Sequence, residues 1–305
     1  MGVLRKRHLV SACLVAGICI FAANWLQPKF LYFQRHYQTS ERDEVKKRMK
    51  QMGYEINTLI YSTDQSKQQS FLVYPSEILG SLSSVSLIAL MGGNGMTAFD
   101  WLDWIVDIRP HLMQYPKVAF VLVDYPGYGF NDGDPSPNSM HSAVTQSVSR
   151  GIEVLRALGM SVSEVNVVGH SIGAAVASRW VSANLSVPPI ARLVLSAPFT
   201  SITEMVPVIF PFIPGAIASV ISRHNWDNRL ALASITSASN VGAVYVVHGE
   251  QDEIVPFGMG KELSEIGNGA VTFVPLKHAT HNDILSIVKL YGLLLSAPIK
   301  EASKL

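Results

Sequence analysis

Apolar and polar positions along the chain fall into three regimes. After Arg5-Lys6-Arg7-His8, an uncharged run from Leu9 to Leu26 carries only Ser11 and Asn24 as clearly polar side chains. At about 1.5 Å per residue it covers roughly 27 Å, close to the hydrocarbon thickness of a bilayer, so residues 9–26 are expected to form one transmembrane helix behind a basic flank at 1–8. A cleaved secretory signal fits less well, because exits near Ala22-Ala23 place Ile20 or Phe21 at the −3 position. Trp25, Phe30, Tyr32 and Phe33 suit an interfacial aromatic belt. Residues 27–53 turn polar and charged, and Asp43 with Lys47 and Glu44 with Arg48 stand at i,i+4, as on an exposed helix. They are read as a juxtamembrane stalk.

From residue 54 onward, short apolar runs alternate with helix-length patterns, which predicts a mostly parallel α/β sheet flanked by helices. The expected strands are Ile56–Tyr61, Phe71–Tyr74, Val85–Met91, Val118–Asp124, Val165–Gly169, Arg192–Ser196, Val244–His248 and Val271–Val274. The first two are separated by Thr63-Asp64-Gln65-Ser66 and read as a hairpin. One segment breaks the alternation. Met205 to Ile221 is uncharged and almost wholly apolar, with Pro207, Pro211 and Pro214 opposing a regular spanning helix. It is either a lid or acyl-chain wall, in which Phe210 and Phe212 would touch substrate, or an ordinary buried connection. The resulting division is a domain at 54–305 with a lid-like insertion at about 201–240.

Composition narrows the function. With 24 Lys+Arg against 23 Asp+Glu the net charge is +1, so the clustered basic excess of a nucleic-acid binder is missing and no nucleic-acid partner is expected. The chain is 48% hydrophobic and 15% charged, with a mean hydropathy of +0.24. That excludes a disordered chain and favours a large core with membrane contact, so a lipid bilayer is the expected partner. Three basic residues precede the apolar run, while Lys29 and Arg35 follow it, which favours a cytoplasmic amino terminus with the body on the opposite side. The only cysteines are Cys13 and Cys19, so the body can form neither a disulfide nor a Cys-based zinc site.

The candidate chemistry centres on Gly169-His170-Ser171-Ile172-Gly173, a G-x-S-x-G between an apolar strand and a small-residue helix. Ser171 would sit on a tight strand-to-helix turn at a helix N-terminus, where partial positive charge favours a developing anion. A serine hydroxyl needs a base and an acid that orients the base. Asp252 lies in the loop after Val244–His248, and His281 in the loop after Val271–Val274, in chain order Ser, Asp, His. His281 precedes a helix start at Asn282-Asp283 and is preferred over His278; Asp252 is preferred over Glu250, Glu253 and Asp283 by its place in the loop. His278 and His281 lack a third metal ligand nearby, and His248 reads as a strand-end structural residue. Gly93, in Met91-Gly92-Gly93-Asn94-Gly95, and Ile172, after the serine, are the expected oxyanion donors. That loop lacks G-x-x-x-x-G-K and a dinucleotide fingerprint, so no cofactor or metal is called for.

Taken in order, Asp124-Tyr125-Pro126-Gly127-Tyr128-Gly129, Gly169-His170-Ser171-Ile172-Gly173, Ala197-Pro198-Phe199, His248-Gly249-Glu250-Gln251-Asp252 and His281-Asn282-Asp283 resemble the α/β-hydrolase superfamily. The resemblance is strongest to membrane-anchored α/β-hydrolase-domain lipases and protein depalmitoylases. It implies Ser171 as nucleophile, Asp252 as orienting acid, His281 as base, and an acyl ester or thioester as substrate. The same triad would also serve an acyltransferase or a peptidase, and the fold also occurs in binding proteins without catalysis. Those families usually carry His-Gly at the oxyanion strand end, where this chain has Met91-Gly92.

Overall fold

The computed structural model of the chain describes residues 27–286 apart from 39, 65, 80–83, 113–116, 185–188, 239–240 and 268. The basic flank at 1–8 and the expected anchor at 9–26 lie outside the described residues. Among the described residues, no helix is long and apolar enough to cross a membrane.

Each apolar run read as a strand is one. The strands are β1 Tyr54–Ser62, β2 Lys67–Pro75, β3 Ser84–Met91, β4 Val118–Val123, β5 Ser161–His170, β6 Ile190–Ser196, β7 Val241–Gly249 and β8 Val271–Leu276. They form a sheet in the order β1-β2-β4-β3-β5-β6-β7-β8. β1 and β2 make the expected hairpin, and β2 runs antiparallel to β4; the pairings from β4 to β8 are parallel. Alternation along the central strands serves two cores. Val85, Leu87, Ala89 and Met91 of β3, with Ala119, Val121 and Val123 of β4, face one layer; Ile88 and Leu90, with Val118, Phe120 and Leu122, face the other.

The helices are α1 Glu41–Gln51, α2 Asp100–Leu112, α3 Pro137–Ala157, α4 Ile172–Ala183, α5 Ile202–Ile209, α6 Gly215–Ile221, α7 Asn228–Ser237 and α8 Phe257–Ser264. α3, α4, α7 and α8 supply one layer, through residues such as Val144, Trp180, Leu232 and Leu263. α2 supplies the other with Trp101, Trp104, Ile105 and Ile108. The connection from β3 leads to β4 on one side, and that from β5 leads to β6 on the other. The carboxyl ends of β3 and β5 therefore flank a topological switch point, where open α/β sheets bind ligands.

The uncharged excursion forms two short helices rather than one spanning helix, as its prolines predict: Pro211 lies between α5 and α6, and Pro214 stands at the N-cap of α6. It is closed at its base by the Ser201–Asp227 bridge and by Asn228 N donating to Thr200 O at 2.9 Å. Within the expected 201–240 insertion, α7 buries Leu232 and Ile235 in the core.

Residues 27–53, read as an exposed stalk, lie against the body instead. Tyr32 is buried, its hydroxyl accepting from Trp226 Nε1 at 3.1 Å. Phe33 N donates to Asn94 Oδ1 at 2.8 Å, and Tyr37 N donates to Gly129 O at 3.1 Å. Arg48 pairs with Asp103 of α2, where an intrahelical partner at Glu44 was expected. The segment is a strap from the excursion, across the loop after β3, to the loop after β4. Tyr32 is buried in the body, and Tyr37 stacks on Phe99 and packs tilted against Phe130, surface that a free stalk would leave in water.

Candidate active site

Ser171 joins β5 to α4 with φ 55° and ψ −118°, a left-handed conformation for a residue with a Cβ. Its N–H donates to Ser196 O at 2.8 Å, which pins the turn to the end of β6. The flanking glycines are steric necessities. A Cβ on Gly169 would come within 2.2 Å of Gly173 O, and one on Gly173 within 2.2 Å of Met91 O. With neither Cβ present, the start of α4 reaches the end of β3 and brings the Gly92-Gly93 loop beside Ser171. Such strain persists only where surrounding structure over-determines it, and it marks functional turns.

Asp252 is held from both sides of its carboxylate. Oδ1 accepts from the Ile254 and Val255 amides at 2.9 and 2.8 Å. Oδ2 lies 2.8 Å from His281 Nδ1 and 3.2 Å from His248 Nε2. His248 Nε2 also lies 3.0 Å from Val255 O; a carbonyl only accepts, so His248 carries its proton on Nε2 and donates. Burial alone would raise the Asp252 carboxyl, but donation from His248, His281 and the Val255 amide holds it well below the usual carboxylate range. An ionised carboxylate fixes the proton of His281 on Nδ1 and leaves Nε2 as the free ring nitrogen.

His281 is buried, whereas His278 is exposed. Its backbone N–H donates to Glu253 Oε2 at 3.2 Å, and Asp283 accepts from Thr280 N at 2.6 Å, so Glu253 and Asp283, two of the three acids passed over, hold its loop. The imidazole lies 4.9 Å, centroid to centroid, from that of His170, the residue before Ser171. His170 is buried, with Nδ1 at 3.2 Å from Ser196 Oγ, and is pushed down to about 3 by burial and by His281. It is a neutral wall of the site. Among the described hydrogen bonds, none joins Ser171 Oγ to His281.

Of the two expected oxyanion donors, Ile172 opens α4, where the first N–H groups have no partner within the helix. The Gly93 N–H is not open: it donates to Met96 Sδ at 3.1 Å, because the turn from Gly93 O to Met96 N, 3.0 Å, folds the methionine back over it. A thioether is a weak acceptor that a carbonyl oxygen or oxyanion can displace. Met91-Gly92 is accommodated by neighbours that sequence reasoning did not assign. The Tyr125 hydroxyl donates to Gly92 O at 3.1 Å, the Tyr128 hydroxyl donates to Asn94 Oδ1 at 3.2 Å, and Asp124 Oδ1 accepts from Ala98 N at 2.7 Å. All three belong to the Asp124–Gly129 motif, the one signal in the sequence that could have found them.

Phe210 and Phe212 line a cavity of about 290 Å³ together with Val206, Ile213 and Ile221 of the excursion and Gln27 and Phe30 of the strap. Its walls are almost entirely apolar, and Ser171, Asp252 and His281 are not among them.

A family model described as "Alpha/beta hydrolase family" matches residues 88–237. Protein bem46 of Schizosaccharomyces pombe is 30% identical over 170 residues, 53% of this chain and 51% of its own length. The lysophosphatidylserine lipase ABHD12 of Danio rerio is 29% identical over 176 residues, 51% of this chain and 43% of its own. The chain thus spans about half the length of the curated relatives it matches. A solved α/β hydrolase from Vibrio vulnificus shares the fold with a TM-score of 0.57 at 16% identity, covering 85% of this chain and 86% of that one. With its sheet order, its strained serine turn between β5 and α4, and this match over residues 88–237, the chain has the α/β-hydrolase fold and is similar to that family.

Proposed function

We propose that the chain is a serine hydrolase, anchored in a membrane by residues 9–26, that cleaves carboxylic esters or thioesters of acyl lipids or acylated proteins. The observation that carries this reading is the 2.8 Å bond from His281 Nδ1 to Asp252, beside a serine on a strained strand-to-helix turn. An imidazole oriented through Nδ1 offers Nε2 as a base.

Ser171 Oγ attacks the carbonyl carbon of the substrate while its proton passes to His281 Nε2, and Asp252 stabilises the imidazolium. The hydrogen bond from Ser171 Oγ to Nε2 closes as the carbonyl is seated. The oxyanion takes the Ile172 and Gly93 amides, displacing the Met96 thioether. His281 then protonates the departing alcohol or thiol, and in the second half it takes a proton from the water that frees the acid and Ser171. The lipid character rests on the apolar run at 9–26, on the apolar walls around Phe210 and Phe212, and on a relative named as a lysophosphatidylserine lipase. The body is read on the side of the membrane opposite a cytoplasmic amino terminus.

A fluorophosphonate probe tests the nucleophile. Full-length chain should be labelled, and Ser171→Ala should not. Equal labelling of a folded Ser171→Ala chain would exclude Ser171 and the reading with it.

A further inference from the structure

We infer that the outer face of the α5–α6 excursion docks into the lipid interface beside the point where the chain leaves the membrane; this rests on reading residues 9–26 as an anchor. The excursion has an inner and an outer side. Ile202, Met205 and Ala218 are buried, while Val208, Ile209, Ile217 and Val220 are exposed and Phe212 is 79% exposed. From Met205 to Ser222 the chain carries no charged side chain. Contiguous apolar surface of this kind on a soluble domain marks a partner or a membrane.

The tether selects the membrane. The expected anchor ends at Leu26, and the next residue, Gln27, shares a cavity wall with Phe210 and Phe212, as does Phe30. Residues 27–30 are helical, so they span roughly 6 Å at about 1.5 Å per residue. The strap is bonded to the base of the excursion: His224 N donates to Gln27 Oε1 at 2.8 Å, and Trp226 Nε1 donates to Tyr32 Oη at 3.1 Å. A chain leaving hydrocarbon at residue 26 therefore holds the excursion within about one helical turn of the bilayer edge. At that depth exposed phenylalanine and isoleucine partition into the boundary between headgroups and acyl chains. The cavity between Phe30 and Phe210 then opens toward lipid, which gives an acyl chain a route that does not cross water.

The test uses the full chain reconstituted in phosphatidylcholine vesicles whose acyl chains carry bromine, a contact quencher of tryptophan. Phe212→Trp places a reporter on the face, and Ile60→Trp places one on the exposed edge strand β1. The emission added by Phe212→Trp is expected to be lost in brominated vesicles, and that added by Ile60→Trp to be kept. A chain that floats with the vesicles yet keeps the Phe212→Trp emission would overturn the docking and leave the anchor standing; if that chain were also dimeric in detergent, the face would belong to a second copy. A chain that does not float would overturn both readings and leave residues 9–26 as the cover of the face.

Discussion

His248 and His281 meet on one atom, Oδ2 of Asp252, at 3.2 and 2.8 Å. One histidine closes β7 and the other sits in the loop after β8, so the carboxylate between them is oriented by two neighbouring strand ends at once. His248 is a positioning residue: it is fully buried, and its Nε2 proton is shared between Asp252 Oδ2 and Val255 O. Removing a donor to a charged group costs about 1.5–3 kcal/mol, and about 1.4 kcal/mol is tenfold in rate. His248→Phe, which keeps a ring and deletes the N–H, should therefore lower kcat about 10- to 100-fold on p-nitrophenyl esters with little change in KM. His278→Ala should leave kcat unchanged. An unaltered kcat in folded His248→Phe would show that Asp252 needs no second donor.

The Met96 contact on the Gly93 amide separates two substitutions at one donor. Gly93→Pro deletes the N–H, and loss of one oxyanion donor is worth about 10²–10³-fold in kcat. Met96→Leu removes only the resting-state acceptor, so kcat should hold or rise slightly. Steady-state kinetics of both variants check this. A fall in kcat for Met96→Leu matching that for Gly93→Pro would make the methionine part of the working donor geometry.

Acyl length tests the cavity. Each methylene moved out of water is worth up to about 0.8 kcal/mol, so kcat/KM should climb from acetyl toward longer p-nitrophenyl esters. Phe210→Asp puts a charge into the cavity wall and should flatten that rise while sparing acetyl-ester turnover. If the wall only packs against the body, all chain lengths should fall together and the melting temperature with them.

Asp124 ties stability to pH. It is buried at the end of β4, with Oδ1 accepting from Ala98 N and from the Tyr37 hydroxyl. Burial pushes its carboxyl up to about 7 from an ordinary 3.8, against the pull of those two donors. The folded chain thus holds this proton more tightly than the unfolded chain. Its contribution is complete below the ordinary carboxylate range, declines as pH rises toward 7, and is flat above. Asp124→Asn keeps the acceptor for Ala98 and removes the charge. The melting temperature of the variant minus that of wild type should grow from acidic pH up to about 7; a difference constant with pH would mean the carboxyl is not raised.

The strap supplies a last test. Tyr32→Phe keeps the ring and deletes the hydroxyl that accepts from Trp226 and faces His224 Nδ1 at 3.1 Å. Leaving a buried donor unsatisfied costs about 1–3 kcal/mol, which should appear as a lower melting temperature. Tyr32→Phe as stable as wild type would mean that water or His224 replaces the bond.

The sequence by itself determined the layered α/β body and the order of its chemistry. Apolar runs such as Val118–Val123 can be satisfied only between two layers, and Gly169-x-Ser171-x-Gly173 is legible because a turn that tight excludes a Cβ at two fixed offsets. Those are local constraints, written in consecutive residues. What only the tertiary structure decided are contacts between distant positions. His281, which the sequence already prefers over His278, reaches Asp252 because the loop after β8 is tied to that after β7, as in Gln251 N to Ala279 O at 3.1 Å. The Gly93 amide meets Met96 because a turn folds back, and Tyr32 meets Trp226 across 194 positions. No periodicity reports such pairs: a polar or aromatic side chain has the same local pattern on a free stalk as on a docked strap, and only the surface it finds after folding tells them apart.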